Sequence, residues 1–218
     1  VLAWLYPPGR SLAEAVTADI DLSAANLRQV GDVTAAAVEV DRPARVHLKL
    51  DTGLSRSGAT AAEWSTVVEA AAKAQADGLI EVVGVWSHLI YADAPQHPSI
   101  NAQLAAFKDG LAVATRAGIQ PRYRHLANSA ATLTRPDTHF EMVRPGIAVY
   151  GLSPVPGQTF GLRPAMTARA RVLLTKRVPA NSGVTYGHTY RTERETTLAL
   201  VPLGYGDGVP WLAGNAGP

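Results

Sequence analysis

Val46, Leu48 and Leu50 alternate with His47 and Lys49, the two-residue period of a strand. Alternation puts Lys49 on the face of His47 and Asp51, opposite the aliphatic set. Asp51-Thr52-Gly53 breaks this strand, and the stretch that follows opens a helix over about 61–76, with Trp64, Val67, Val68 and Ala71 on one face. Residues 80–86 form a continuous apolar run of the buried parallel kind. Around this centre the pattern predicts a strand at 1–6, a helix at 12–18 and a weak strand at 19–22. Ser11 and Glu14 sit in capping-box spacing at the first of these helices, and Ser23 opens a second helix. Further on it predicts a helix over 100–117 closed by Gly118, a strand over 123–127, a short helix from Ser129 and a last strand at 147–150.

Strands and helices therefore alternate in about six units, which predicts a parallel sheet with helical crossovers. A closed (β/α)8 TIM-type barrel needs eight units, and an open doubly wound sheet would also accept six. No G-x-G-x-x-G follows any strand, which removes the main argument for a dinucleotide fold. After Gly151 the texture changes. Pro154, Pro156 and Pro164 punctuate a stiff linker, and beyond it come strands without helices, over 168–178 and 196–203 around a turn at 179–183. The expected organisation is a partial barrel over 1–152, a linker over 153–164 and the start of a mainly β domain over 165–218.

Composition narrows the chemistry. The chain has 218 residues, of which 47% are hydrophobic, enough for a full core. Twenty basic against eighteen acidic residues leave +2, too balanced for a nucleic-acid or membrane footprint. With no cysteine, disulfides and thiolate chemistry are excluded, and no His or carboxylate cluster has metal spacing. No apolar run approaches the ~18 residues of a membrane span, and no signal peptide is visible. The expectation is a soluble, cytoplasmic protein, and the apolar start and Gly-Pro end read as a fragment.

Polar residues collect where strands end, the edge on which β/α folds place their chemistry. Lys49 and Arg56 follow one strand, Ser87-His88 the next, Asn128-Ser129 another, and Arg144-Pro145-Gly146-Ile147 lead into the last. Asn128-Ser129 forms a strand-to-helix turn suited to phosphate, and Gly146 would let one approach the backbone. Each has a plainer reading: Ser129 as an N-cap, Arg144 as a partner of Glu141, His88 as a loop histidine, Lys49 and Arg56 as surface cations. Tyr186 and Tyr205 each stand among glycines, where little local packing justifies a ring.

In order, the stretches HLKLDTGLSRSG, WSHLIYAD, HLANSAAT, VRPGIAVYGLSP, GVTYGHTY and VPLGYGDG resemble alanine racemase, a barrel enzyme with a second β domain that uses pyridoxal 5'-phosphate. The resemblance spans essentially the whole chain. It implies interconversion of L- and D-alanine by two-base proton transfer, supplying D-alanine for peptidoglycan. It also implies a homodimer whose active site is shared between chains. By the same resemblance Tyr186 would be a catalytic base and His88 would link it to Arg144, the residue facing the pyridine nitrogen. Arg56 would hold the substrate carboxylate and the phenolic oxygen of the cofactor, with Tyr205 beside the substrate. Ser129, Gly146 and Ile147 would bind the phosphate, and Lys49 would be carbamylated to orient Arg56. The family's cofactor-bearing lysine motif does not occur in these 218 residues, nor does its cysteine–methionine substrate loop or its C-terminal tyrosine, and Gly206 stands where alanine is more usual. The rivals are a racemase of serine or of broader specificity, a related decarboxylase, and a non-catalytic barrel that binds pyridoxal phosphate or phosphate.

Overall fold

A computed structural model describes residues 1–213. Residues 214–218, the end of the expected β domain, lie outside the described residues. The chain divides into two compact units, Val1–Ala165 and Met166–Pro218.

Five parallel strands organise the first unit: β1 (Leu2–Ala3), β2 (Asp21–Ala24), β3 (Ala44–Lys49), β4 (Ile80–Trp86) and β5 (Tyr123–His125). Their order in the sheet is their order in the chain. A doubly wound sheet reverses direction at a switch point. This one does not, and it is a section of a (β/α)8 TIM-type barrel. Helices α1 (Ala13–Thr17), α2 (Leu27–Glu39), α3 (Trp64–Ala76) and α4 (Ser99–Arg116) make the crossovers, and α5 (Ser129–Thr134) follows β5. The core lies between helices and sheet. Val46 and Leu48 of β3 are fully buried with Val67, Val68 and Ala71 of α3 and Val33 of α2, each valine or leucine worth roughly 1.5–3 kcal/mol of burial. The inward residues of β3, His47 and Lys49, are buried as completely as the outward ones.

Several local expectations are corrected. Ser23 lies inside β2 and does not open a helix; Asn26 caps α2 instead, its side chain accepting from Gln29 N at 2.9 Å. No capping box closes α1: its N-cap position falls on Leu12, and the Ser11 hydroxyl accepts from Ala13 N while donating to Glu39. Ile147–Tyr150 is a 3-10 turn and not a strand. Gly146 breaks the extended path, Val149 N bonds Gly146 O, and Gly151 ends the turn in the left-handed region.

Among the described residues the second unit carries two antiparallel strand pairs and three short 3-10 turns. Strand β6 (Leu174–Val178) pairs antiparallel with β9 (Thr196–Leu200), and β7 (Gly183–Val184) with β8 (Tyr190–Arg191). Both long strands are shorter than the pattern predicts, and Pro202, which has no N–H to give a ladder, lies just past β9. Thr192 locks the 179–183 turn by donating to Pro179 O and accepting from Ser182 N. Among the described residues no helix is long and apolar enough to cross a membrane.

Candidate active site

The C-terminal ends of β3, β4 and β5 converge with the segment around Arg144. Lys49, last residue of β3, is 2% exposed, and its ammonium donates to Ser57 Oγ at 2.5 Å. It also lies 4.3 Å from the centroid of the Trp86 ring. Burial, then the charges of Arg56 and Arg144, bring its pKa down from 10.5 to about 8. The loop carrying Arg56 is tightly tethered: Asp51 Oδ1 accepts from Gly53 N and Ser55 N, Asp51 N donates to Ala59 O, and Ala59 N to Lys49 O. Gly58 is needed there, since at φ +128° a Cβ would sit 2.6 Å from Asp51 N. Arg56 itself is exposed, with its guanidinium 5.7 Å from the Trp4 ring centroid.

Arg144 is the hub. Its backbone N donates to Ala127 O at 3.0 Å, which fixes the segment against β5. Nη1 donates to His125 Nδ1 at 2.8 Å and Nη2 to Ser87 O at 2.7 Å, with His88 Nδ1 3.4 Å away. Glu141, the plainer partner the sequence offers, pairs with Arg124 instead. Arg144 forms none of the ion pairs among the described residues. Enclosure lowers its pKa to about 10, so it stays charged at neutral pH. Burial, then Arg144, Arg56 and Lys49, push His88 down to about 4, which leaves a neutral imidazole.

Asn128 caps α5, with Oδ1 accepting from Ala131 N. Ser129 is therefore free of the capping role, and its Oγ accepts from Gly146 N at 2.7 Å and lies 3.4 Å from Ala148 N. A cavity of about 550 Å³ runs from this corner to Arg144, lined by Trp4, His88, Ser129, Arg144, Gly146 and Ile147 among others. A second, of about 330 Å³, holds Lys49, Arg56 and Ser57 and also touches Trp4. Trp4 is thus a wall of both, with its ring also 6.5 Å from that of His88.

The structure brings together Lys49, Arg56, His88, Ser129, Arg144, Gly146 and Ile147. Tyr186 and Tyr205 belong to the second unit, each in a 3-10 turn, 97% and 70% exposed. Sequence reasoning passed over Trp4, His47, His125 and Gln103. The period of two did set His47 beside Lys49, and His125 opens HLANS, so both had a signal. Gln103, buried in α4, had none. Its Nε2 donates to Thr52 Oγ1 and His88 O, and its Oε1 accepts from Ile90 N, stitching two strand-end loops together.

The family models for "Alanine racemase, N-terminal domain" and "Alanine racemase, C-terminal domain" match residues 1–154 and 165–218. The chain belongs to the alanine racemase family. It is similar to the alanine racemase of Salinispora arenicola, 65% identical over 218 residues, covering 100% of this chain and 59% of that protein. Against the one from Thermobifida fusca it is 55% identical, covering 59% of that relative. Among solved structures, the alanine racemase of D-cycloserine-producing Streptomyces lavendulae superposes with a TM-score of 0.91 at 54% identity, over 96% of this chain and 56% of that one. The one from Bartonella henselae, described with covalently bound pyridoxal phosphate, gives 0.80 at 26% identity, over 97% and 56%. The chain thus spans a little under three fifths of the alanine racemases it matches.

Proposed function

We propose that this chain supplies the cofactor pocket and one catalytic tyrosine of an enzyme that interconverts L- and D-alanine with pyridoxal 5'-phosphate. The observation that carries the reading is the pocket's polarity. One end offers the Ser129 hydroxyl and the Gly146 turn, and the other a guanidinium that makes no ion pair among the described residues. A planar ring carrying a phosphate would lie between them, with Trp4 beside it. The reading includes the division 1–152, 153–164 and 165–218, a cytoplasmic head-to-tail homodimer, and D-alanine destined for peptidoglycan.

Ser129, Gly146 and Ile147 would hold the phosphate, and Arg144 the ring nitrogen. The bound cofactor supplies delocalisation of the electron pair left when an amino acid gives up its α-proton. Arg144 has donors only and keeps its protons, so it does not protonate the atom it faces. Arg56 would anchor the substrate carboxylate as a fork of donors. Lys49 would act on Arg56 as a carbamate, and its lowered pKa favours the neutral amine that carbamylation needs. His88, neutral, would accept from Arg144 and orient the partner subunit's Tyr186, a base on one face of the substrate. A phenol near pKa ~10 is a poor base alone, so positive charge nearby matters.

The test uses the complete enzyme. Incubation with L-alanine and pyridoxal phosphate should yield D-alanine, and Arg56→Ala should raise KM for alanine more than it lowers cofactor affinity. Cofactor binding without any D-alanine would favour the non-catalytic barrel that binds pyridoxal phosphate. Faster turnover of L-serine than of L-alanine would replace the substrate.

A further inference from the structure

Behind Arg144 runs a row of polar side chains, buried at the two histidines and partly exposed at Asp21 and Arg45, that the proposed reaction does not use. Arg45 Nε donates to Asp21 Oδ1 at 2.5 Å, and Asp21 Oδ2 lies 3.3 Å from His47 Nε2. His47 Nδ1 is 2.8 Å from His125 Nε2, and His125 Nδ1 is 2.8 Å from Arg144 Nη1. His47 and His125 are 1% and 0% exposed. The row thus crosses from β2 through β3 and β5 to the cavity wall.

Each imidazole nitrogen in this row meets one partner, so the protons can be placed. Guanidinium has donors only, and Nδ1 of His125 must accept. The proton of His125 is then on Nε2, where it points at His47 Nδ1. His47 in turn carries its proton on Nε2, aimed at the Asp21 carboxylate, which accepts only. The two ends impose one direction. An imidazolium at His125 would set N–H against the N–H of Arg144, and one at His47 would set N–H against the N–H of His125. Stacking holds the rings in place: His125 lies on Trp86 at 5.5 Å and 10°, and His47 on Tyr123 at 6.2 Å and 5°.

We propose that Asp21, His47 and His125 are positioning residues that hold the Arg144 guanidinium at the cavity wall through two neutral imidazoles, each protonated on Nε2. The arrangement gives Arg144 a strong acceptor without putting a carboxylate against it. Its positive charge therefore remains available to the cavity, while the anion sits two rings away beside Arg45. A carboxylate in contact would instead cancel that charge where a ligand meets it. Burial, and for His125 next the charge of Arg144, lower the pKa of both histidines, in keeping with neutral rings.

Two measurements on the complete enzyme test this. With histidine labelled by 15N, both residues should show a pyridine-like Nδ1 and a protonated Nε2 at neutral pH. Protonation of Nδ1 at either one overturns the proposal, whether or not any cofactor binds. The second measurement rests on the cofactor reading: release of pyridoxal phosphate after dilution, followed by absorbance. His125→Phe keeps a ring against Trp86 and should speed release about tenfold, the equivalent of one hydrogen bond to a charged group. His125→Gln offers an amide oxygen to Arg144 and an N–H to His47, and should restore retention to within a few-fold. Equal release from both variants would make His125 a packing residue only and sink the positioning role. Failure of the wild-type protein to bind pyridoxal phosphate would instead strike at the proposed function, leaving the proton placement to the first measurement.

Discussion

His47 and Gly84 face each other across β3 and β4, so closely that a Cβ at residue 84 would lie 2.0 Å from His47 Nδ1. The pairing slips by one residue between Val46 and His47, and this irregularity brings the imidazole over the glycine. A glycine inside a strand usually weakens it. Here it makes room for a ring that has to reach His125.

Gly84→Ala should therefore act on the site as well as on stability. The ring of His47 must move or the strands must part, at a cost of about 1–3 kcal/mol. Urea unfolding of the complete enzyme should show that loss, together with a changed 15N spectrum at His125. An unchanged His125 signal would mean that the ring of His47 has more room than the structure gives it.

Lys49 makes a pH prediction whose sign follows from burial. Its folded pKa, about 8, lies below the ordinary 10.5, so between those values the unfolded chain binds more protons. Stability should rise with pH across that window for this residue, and its buried charge should cost most below pH 8. Lys49→Met, close in length and uncharged, should raise stability at pH 7 by on the order of 2 kcal/mol when carbon dioxide is excluded. The gain should shrink toward pH 10. A gain independent of pH would show that the ammonium is not what burial penalises.

Gln103→Leu removes three hydrogen bonds and leaves His88 O and Ile90 N without that partner, while Thr52 Oγ1 keeps Ser87 Oγ at 2.8 Å. Burying such groups unpaired costs about 1–3 kcal/mol each, less whatever water restores. The complete enzyme should lose roughly 2–4 kcal/mol, and hydrogen exchange should quicken at residues 88–92 ahead of the core strands. Uniform quickening throughout the barrel would argue that Gln103 holds no particular loop.

Tyr186→Phe keeps the ring and takes away the proposed base. Removal of the α-proton from L-alanine should fall by roughly 10²–10⁴. Exchange of the α-proton of D-alanine in deuterated water should fall far less if, as the proposed function has it, a lysine serves that face. Mixing this variant with one lacking the lysine should restore part of the activity through dimers with one intact site. Mixed dimers that stay silent would place both bases on one chain.

Much of the barrel could be read from the chain, because strand and helix periods are set locally by where successive side chains point. The run over β4 and the apolar face of α3 need no tertiary information, and strand ends mark where Lys49 and His88 had to lie, whereas the strand expected after Arg144 is a 3-10 turn. The roles of Tyr186, Tyr205 and Lys49 came from resemblance, not from period. Only the folded chain decided which partners the polar groups take. Asn128 and Ser129 are equally good caps in sequence, and position alone makes Asn128 the cap and turns Ser129 toward Gly146. Arg144 had Glu141 three residues away and meets His125 instead, because β5 carries that ring within reach of the guanidinium. His47 and His125 are 78 residues apart and touch, since parallel strands bring distant residues side by side. Hydrogen-bond partners are chosen by proximity in space after the core has set the strands in register, and no local pattern records that choice.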